Sequence, residues 1–360
     1  MTALRPSMHG LTIGVLPAGP RDSITDVPGV RVGHATVLDE ARGLRTGVTI
    51  IEPCRDPWAE RPVAACDVLN GFGKSVGLVQ VEELGEIETA IGLTNTLAVW
   101  AVAQRIAQRY LELAPGALSA NPVVGECNDG LLSDIRAFAI GPEHVDAAFE
   151  ALSDRVDEGN VGAGAGMRGF GYKAGVGTAS RVVSISGKPL TVGVLVLTNT
   201  GSREDLRIDG FPVGRWLSGG AARPLVGRPH SCPLSRREGG TDDGSIMMVC
   251  STNAPVDARQ LRRIVRRCAL GLARVGATAG HGSGDITVGF APRSRELVED
   301  RHLSSLFRAA VEATEAAIVH SLFAAEACSQ RDGKAVPAIP HKEVVERILC
   351  ARRALLDQTT

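Results

Sequence analysis

The sequence predicts an α/β protein in which helices layer against mixed, partly antiparallel sheets. Three observations carry this expectation. Between residues 11 and 71 short β-rich runs alternate with Gly and Pro turns, as meandering antiparallel strands do. From Thr94 onward, strand-like runs alternate with stretches of helical periodicity. The 42 glycines, against 8 Phe, 3 Trp and 2 Tyr, suit tight turns and close backbone approach better than a long helical bundle.

Taken in order, Leu11-Thr-Ile-Gly-Val-Leu16 reads as the first strand, with a turn segment from Pro17 to Arg21 after it. Val30–Val37, Gly47–Ile51 and Pro62–Cys66 read as the next three. Thr94 and Asn95 are suited to cap a helix whose apolar positions are Leu97, Val99, Val102, Ile106 and Leu113, stopped at Pro115-Gly116. A strand-like Val123-Val124 leads into the polar cluster Gly125-Glu-Cys-Asn-Asp-Gly130, and a second helix is expected from about His144 to Val156. Residues 159–177 are the most glycine-dense. Gly164, Gly166 and Gly169 satisfy G-x-G-x-x-G, but a dinucleotide site needs a strand before and a helix after. Neither is readable here, so a loop or hairpin wrapping a site is expected. Pro189–Thr198 is a strong strand ending at Asn199.

Residues 214–244 are rich in Gly, Pro, Ser and Arg without apolar periodicity, and read as a flexible, cleavable segment. Thr241-Asp-Asp-Gly244 then meets Ser245, and Ile246–Cys250 is a short, uncharged run that reads as a buried strand. An amphipathic helix follows, with Leu261, Ile264, Val265, Cys268 and Leu272 on its apolar face, four arginines between them, and Gly276 at its end. His281-Gly-Ser-Gly-Asp285 runs into the strand Ile286–Phe290, and helices over about Leu303–Cys328 and Lys342–Leu356 complete the chain.

The 360 residues bound one large domain or two ordinary ones, and 39 basic against 40 acidic side chains leave no field for a nucleic-acid or polyanion partner. The start of the chain lacks a signal-peptide pattern and no run approaches membrane-spanning length, so a cytoplasmic location is expected. The eight cysteines form no C-x-x-C and read as reduced residues, several of them in the core. Histidines are scattered without H-x-x-x-H or H-E-x-x-H spacing, so no metal is expected, and a serine reacting through its own hydroxyl, as read below, needs no organic cofactor.

Three polar clusters fall at strand ends: Asn199, Ser245, and Ser283 with Asp285. Turn chemistry alone uses such residues. Ser245 has a further option, because a cut at Gly244–Ser245 would give it a free α-amine beside its own hydroxyl. With a pKa of roughly 8, that amine can act as general base for Oγ. Asp285 and Ser283 alternate onto one face of a strand and could orient a hydroxyl network, and Asn199 could donate to an oxyanion. A Ser-His-Asp arrangement of Ser245 or Ser283 with His281 or His34 is the alternative, although no G-x-S-x-G elbow surrounds either serine.

Several motifs together resemble the self-processing peptidases known as L-aminopeptidase/D-esterase and β-peptidyl aminopeptidase. They are Ile24-Thr-Asp-Val-Pro-Gly-Val-Arg-Val-Gly-His34, Thr46-Gly-Val-Thr49, Asn70-Gly71 and Ile91-Gly-Leu-Thr-Asn95, then the glycine stretch ending in Gly175-Val-Gly-Thr-Ala-Ser-Arg181, Asp243-Gly-Ser-Ile246 and Gly282-Ser-Gly-Asp285. The resemblance implies a four-layer α-β-β-α sandwich like that of amino-terminal-nucleophile hydrolases. It implies one domain over 1–360 that cuts itself into an α chain, 1–244, and a β chain, 245–360, often assembled as a tetramer of processed pairs. It makes Ser245 the nucleophile, Ser283 and Asp285 its supporting partners, Asn199 the oxyanion-hole residue and Glu126 the carboxylate that meets the substrate's free amine. Asn128 stands where some relatives carry a tyrosine that helps hold the intermediate, which bears on substrate preference.

The implied function is aminopeptidase or amidase action on small peptides, amides or esters through an acyl-enzyme. Two alternatives stand beside it: an acyl or aminoacyl transferase on the same fold, and an uncleaved relative acting as a binding protein. A related superfamily of acetyltransferases uses a threonine nucleophile, and the serine at 245 argues against that branch.

Overall fold

The computed structural model describes residues 4–218 and 244–357. The chain opens with a hairpin, β1 (Arg31–Asp39) and β2 (Leu44–Glu52). Next come a one-turn helix α1 (Pro57–Glu60), β3 (Val63–Gly71), α2 (Leu78–Leu84), β4 (Ile91–Asn95), α3 (Val99–Leu113), β5 (Val123–Cys127) and α4 (Pro142–Glu150). The glycine-dense stretch forms a 3-10 turn at Gly162–Gly166 and a small hairpin, β6 (Arg168–Gly169) with β7 (Tyr172–Lys173). Two long strands, β8 (Val176–Ile185) and β9 (Lys188–Asn199), lead to α5 (Val213–Leu217). The last part holds β10 (Ser245–Thr252), α6 (Ala258–Val265), α7 (Cys268–Arg274), β11 (Gly284–Ala291), α8 (Leu303–Phe323), the short pair β12 (Cys328–Ser329) and β13 (Ala335–Val336), and α9 (His341–Asp357).

Two main sheets result. One has the order β1-β2-β4-β5, the other β3-β11-β10-β9-β8, and each contains both parallel and antiparallel pairs. Strand alternation sends successive side chains of β10 to opposite faces. Met247 and Val249 join Leu195, Leu197, Ile91, Val123 and Ile286 in an apolar seam between the sheets. Ile246, Met248 and Cys250 instead meet Leu261, Ile264, Cys268 and Ala317, in the seam beneath α6, α7 and α8. A third seam packs Val102, Ile106, Val145 and Phe149 of α3 and α4 onto Val48, Ile50 and Val124 of the first sheet. Three apolar seams separate four layers, which is the expected α-β-β-α sandwich.

Several boundaries differ from the sequence reading. Residues 11–16 form no strand: Leu11 and Ile13 are buried, but the Val15 and Leu16 N–H groups donate to the Glu312 carboxylate instead of to a neighbouring strand. Residues 91–95 are a strand, and Asn95 caps the turn before α3 rather than the helix itself, its Oδ1 accepting from Leu97 N–H and Ala98 N–H at 3.0 and 3.1 Å. The second helix stops at Glu150, the helix after β10 breaks into α6 and α7 at Arg266-Arg267, and α8 ends at Phe323, short of Cys328. Strand β8 was not anticipated. Of the segment expected to be flexible, residues 214–217 are helical, and residues 219–243, including the Thr241–Asp243 approach, lie outside the described residues. The described cysteines are free thiols, and Cys66, Cys127, Cys250 and Cys268 are buried. No helix among the described residues is long and apolar enough to cross a membrane.

Candidate active site

The site grows from the middle strand of the five-stranded sheet. Ser245 is the first residue of β10, buried, with Asn199 opposite it on β9 and Gly284 beside it on β11. Directly opposed residues of an antiparallel pair put their side chains on the same face, about 5 Å apart at Cβ. Ser245 and Asn199 therefore share the inter-sheet face used by Met247 and Leu197. The Ser245 Oγ accepts from Gly284 N–H at 3.2 Å. Gly244 packs so closely on β9 that a Cβ there would stand 2.1 Å from Asn199 O, and glycine is what lets the chain enter β10 at this point.

Ser283 and Asp285 lie one residue to either side of Gly284. The Ser283 Oγ–H donates to Asp285 Oδ1 at 2.8 Å, and both side chains are buried. The other carboxyl oxygen, Oδ2, has no hydrogen-bond partner among the described residues. Burial pushes the Asp285 carboxyl up to about 6, and the Ser283 bond offsets only part of that. The loop carrying Ser283 is pinned by Asn70 of β3, whose Nδ2 donates to the carbonyls of Ser283 and Gly280 at 2.5 and 2.8 Å, with His281 O at 3.2 Å. Asn70-Gly71 enters the sequence reading only as a motif of the resemblance; its position opposite a serine-bearing loop emerges from the β3–β11 pairing.

The Asn199 carboxamide is held at both ends. Its Oδ1 accepts from Arg168 N–H of the small hairpin at 3.0 Å, and its Nδ2 donates to Asn128 O at 3.0 Å. Among the described residues one N–H of the amide is left over from that second bond. Asn128 thus serves through its main chain, while its side chain turns back, Oδ1 accepting from Gly130 N–H at 2.9 Å. Glu126 sits near the end of β5, buried. Its Oε1 accepts from Lys74 N–H at 2.9 Å and its Oε2 accepts from the Thr96 hydroxyl. Burial raises this carboxyl, and the Thr96 and Lys74 donors pull it part of the way back. Gly73 connects Glu126 to the serine, because a Cβ at Gly73 would lie 3.5 Å from Gly284 Cα and 3.6 Å from Glu126 Oε1.

Neither histidine weighed for a triad has a hydrogen bond to Ser245 or Ser283 among the described residues. His34 is in the other sheet, its Nδ1 2.9 Å from Thr49 Oγ1, with burial lowering its pKa to about 4. The His281 ring packs on Phe72 at 6.2 Å, and the Ser283 hydroxyl is committed to Asp285.

The chain as a whole is similar to known proteins. Residues 22–336 fit the model of peptidase family S58. The chain belongs to that family. It is 38% identical over 348 residues to the β-peptidyl aminopeptidase BapA of Sphingosinicella microcystinivorans, covering 91% of this chain and 87% of that one. Among solved structures it is similar to the PH0078 protein of Pyrococcus horikoshii OT3, with TM-score 0.85 and 40% identity over 95% of this chain and 98% of that one. It is also similar to the L-aminopeptidase D-Ala-esterase/amidase of Ochrobactrum anthropi, with TM-score 0.82 and 32% identity over 96% of this chain and 98% of that one. That enzyme is described as a prototype serine aminopeptidase and a new variant of the Ntn-hydrolase fold. As an S58 member the chain is a peptidase, hence a hydrolase, and its four-layer α/β sandwich is of the same kind.

Proposed function

We propose that this S58 peptidase is a self-cleaving aminopeptidase in which Ser245, freed as an amino terminus, is the nucleophile. The observation that carries this reading is the row Asn199–Ser245–Gly284 across the start of three neighbouring strands, with the Ser283–Asp285 pair on one flank. It puts an oxyanion donor, a hydroxyl and a carboxyl network at one sheet end, on rigid elements.

In the first stage the Ser245 Oγ attacks the Gly244 carbonyl carbon, the acyl group passes from nitrogen to oxygen, and water hydrolyses the ester. The α chain then ends in a carboxylate and Ser245 carries a free amine. In turnover the amine takes the hydroxyl proton as Oγ attacks a substrate carbonyl, then hands it to the departing amine. The negative oxygen is held by Asn199 Nδ2–H and neighbouring main-chain N–H groups. Water, deprotonated by the same amine, releases the amino-terminal residue from Ser245. Glu126 meets the substrate ammonium, which makes the reaction an exopeptidase one. Two of the relatives named above are a β-peptidyl aminopeptidase and an L-aminopeptidase D-Ala-esterase/amidase. The substrate class proposed here is accordingly a short peptide, amide or ester with a free amine.

The same reading includes an assembly of several processed pairs. Phe138, Trp100 and Leu131 are exposed apolar side chains that such an interface would cover. Light scattering of the purified protein checks it, with a monomeric mass overturning that part.

The test of the nucleophile is to trap the acyl-enzyme. Quenching the protein during turnover of a slow aminoacyl ester should leave one acyl group on the proteolytic fragment that begins at Ser245. A fully active protein whose adduct falls on another residue would overturn the assignment.

A further inference from the structure

Lys173 is among the largest side chains in the protein that are fully buried. Its Nζ donates to two main-chain carbonyls, Gly164 O at 3.0 Å and Ala174 O at 2.5 Å, and no carboxylate stands at ion-pair distance among the described residues. Burying an ammonium against neutral partners is costly, and burial indeed pushes this one down to about 7. The two carbonyls it joins lie on opposite sides of the β6–β7 hairpin. Gly164 belongs to the 3-10 turn before it and Ala174 to the step into β8. Met167 N–H donates to Gly164 O at 3.2 Å and Ala174 N–H to Met167 O at 3.2 Å, so the ammonium closes a compact knot at the hairpin's base. Between these anchors stands Arg168, the register partner of Lys173, whose N–H is the donor that occupies Asn199 Oδ1. An asparagine carboxamide is nearly symmetrical in shape. Which way it faces is set by its hydrogen bonds, here Arg168 N–H on Oδ1 together with Asn128 O on Nδ2.

We propose that Lys173 is a positioning residue for the oxyanion donor: by tying Gly164 O to Ala174 O it fixes the hairpin, whose Arg168 N–H holds Asn199 with its amide N–H toward Ser245. This rests on the oxyanion role given to Asn199 above. Lys173 touches no reacting atom, and its effect passes entirely through that carboxamide.

The test is a double-mutant cycle on processed enzyme, with kcat referred to active sites titrated by the acylation burst. Lys173→Met keeps the stem and removes the donors. It should lower kcat about ten- to a hundredfold with KM within about threefold, because the lost contact is used in the transition state. Asn199→Ala alone should cost about a hundred- to a thousandfold. In the Asn199→Ala background, Lys173→Met should then change kcat by less than about threefold. Multiplying effects would show a general structural role and overturn the inference while leaving the Asn199 reading intact. An Asn199→Ala enzyme with wild-type kcat would overturn the oxyanion reading and this inference with it. Should Lys173→Met fail to fold, Arg168→Pro carries the same test. It removes the one N–H that holds Asn199 Oδ1 while leaving Lys173 in place. A wild-type kcat in that variant would overturn the inference.

Discussion

Replacing Glu126 by Gln isolates the charge from the shape. The wild-type carboxylate uses Oε1 to accept from Lys74 N–H at 2.9 Å and Oε2 to accept from the Thr96 hydroxyl. Glutamine can keep its oxygen on Lys74 N–H, and its NH2 can face Thr96, whose hydroxyl is able to accept. The fold around β5 should therefore survive. What is lost is the anion that a substrate ammonium would meet. A hydrogen bond to a charged group is worth about 1.5–3 kcal/mol, which converts to a fall of about ten- to a hundred-and-fifty-fold in kcat/KM. The assay compares an aminoacyl p-nitroanilide with its N-acetyl form. Wild type should prefer the free amine, and Glu126→Gln should lose most of that preference while processing normally. A preference that survives the substitution would move amine recognition to another residue. Equal wild-type rates on free and blocked substrates would refute the aminopeptidase reading itself.

Asp285, raised from the ordinary carboxyl range to about 6, gives two further expectations with opposite signs. Below pH 6 it is protonated and accepts poorly from Ser283 Oγ–H, so self-cleavage of freshly synthesised precursor should accelerate as the pH rises through 6. Asp285→Asn should slow processing at least about a hundredfold and flatten that profile; a processing rate independent of pH between 5 and 7 in wild type would contradict the role. Because the folded pKa lies above the unfolded one, the fold should lose stability as pH rises from about 4 through 6, and chemical denaturation of Ser245→Ala precursor with and without Asp285→Asn reads that slope. Gly175→Ala should destabilise by about 3 kcal/mol or more, since its Cβ would stand 1.8 Å from Gly159 O, beside the two hydrogen bonds that join Gly159 to Val176. Gly187→Ala, where a Cβ meets open space at φ +77°, should cost only about 1–2 kcal/mol. Urea midpoints that rank these two the other way would refute the packing argument.

What could be read from the chain was whatever has a local cause. The short, uncharged run Ile246–Cys250 marks a buried strand, and the structure uses both of its faces. The polar residues at strand ends, Asn199, Ser245, Ser283 and Asp285, are brought to one end of the second sheet. The misreadings have a common origin in long-range pairing. Residues 11–16 have strand composition, but their N–H groups are taken by Glu312, nearly 300 positions away along the chain. Strand β8 carries buried Thr178, Ser180 and Arg181, which read as polar until the Thr178 hydroxyl is seen to donate to Val194 O, the Ser180 hydroxyl to Asp26 and the Arg181 guanidinium to Asp22. Asn128, expected to bear on substrate preference, offers its carbonyl to Asn199 Nδ2 while its side chain closes a turn on Gly130 N–H. Lys173 gives no signal in sequence, since one lysine in a glycine-rich run looks solvated. Only the folded hairpin reveals it as buried.

The claim at the centre is that Ser245 becomes an amino terminus and acts from there. Intact-mass measurement of the purified protein, on a sample whose hydrolysis of an aminoacyl amide has been recorded, tests it most directly. The account predicts two chains in equal amount, one ending at Gly244 and one beginning at Ser245, and a single uncut, inactive chain for Ser245→Ala. An uncut wild-type chain that hydrolyses the amide at full rate would contradict it.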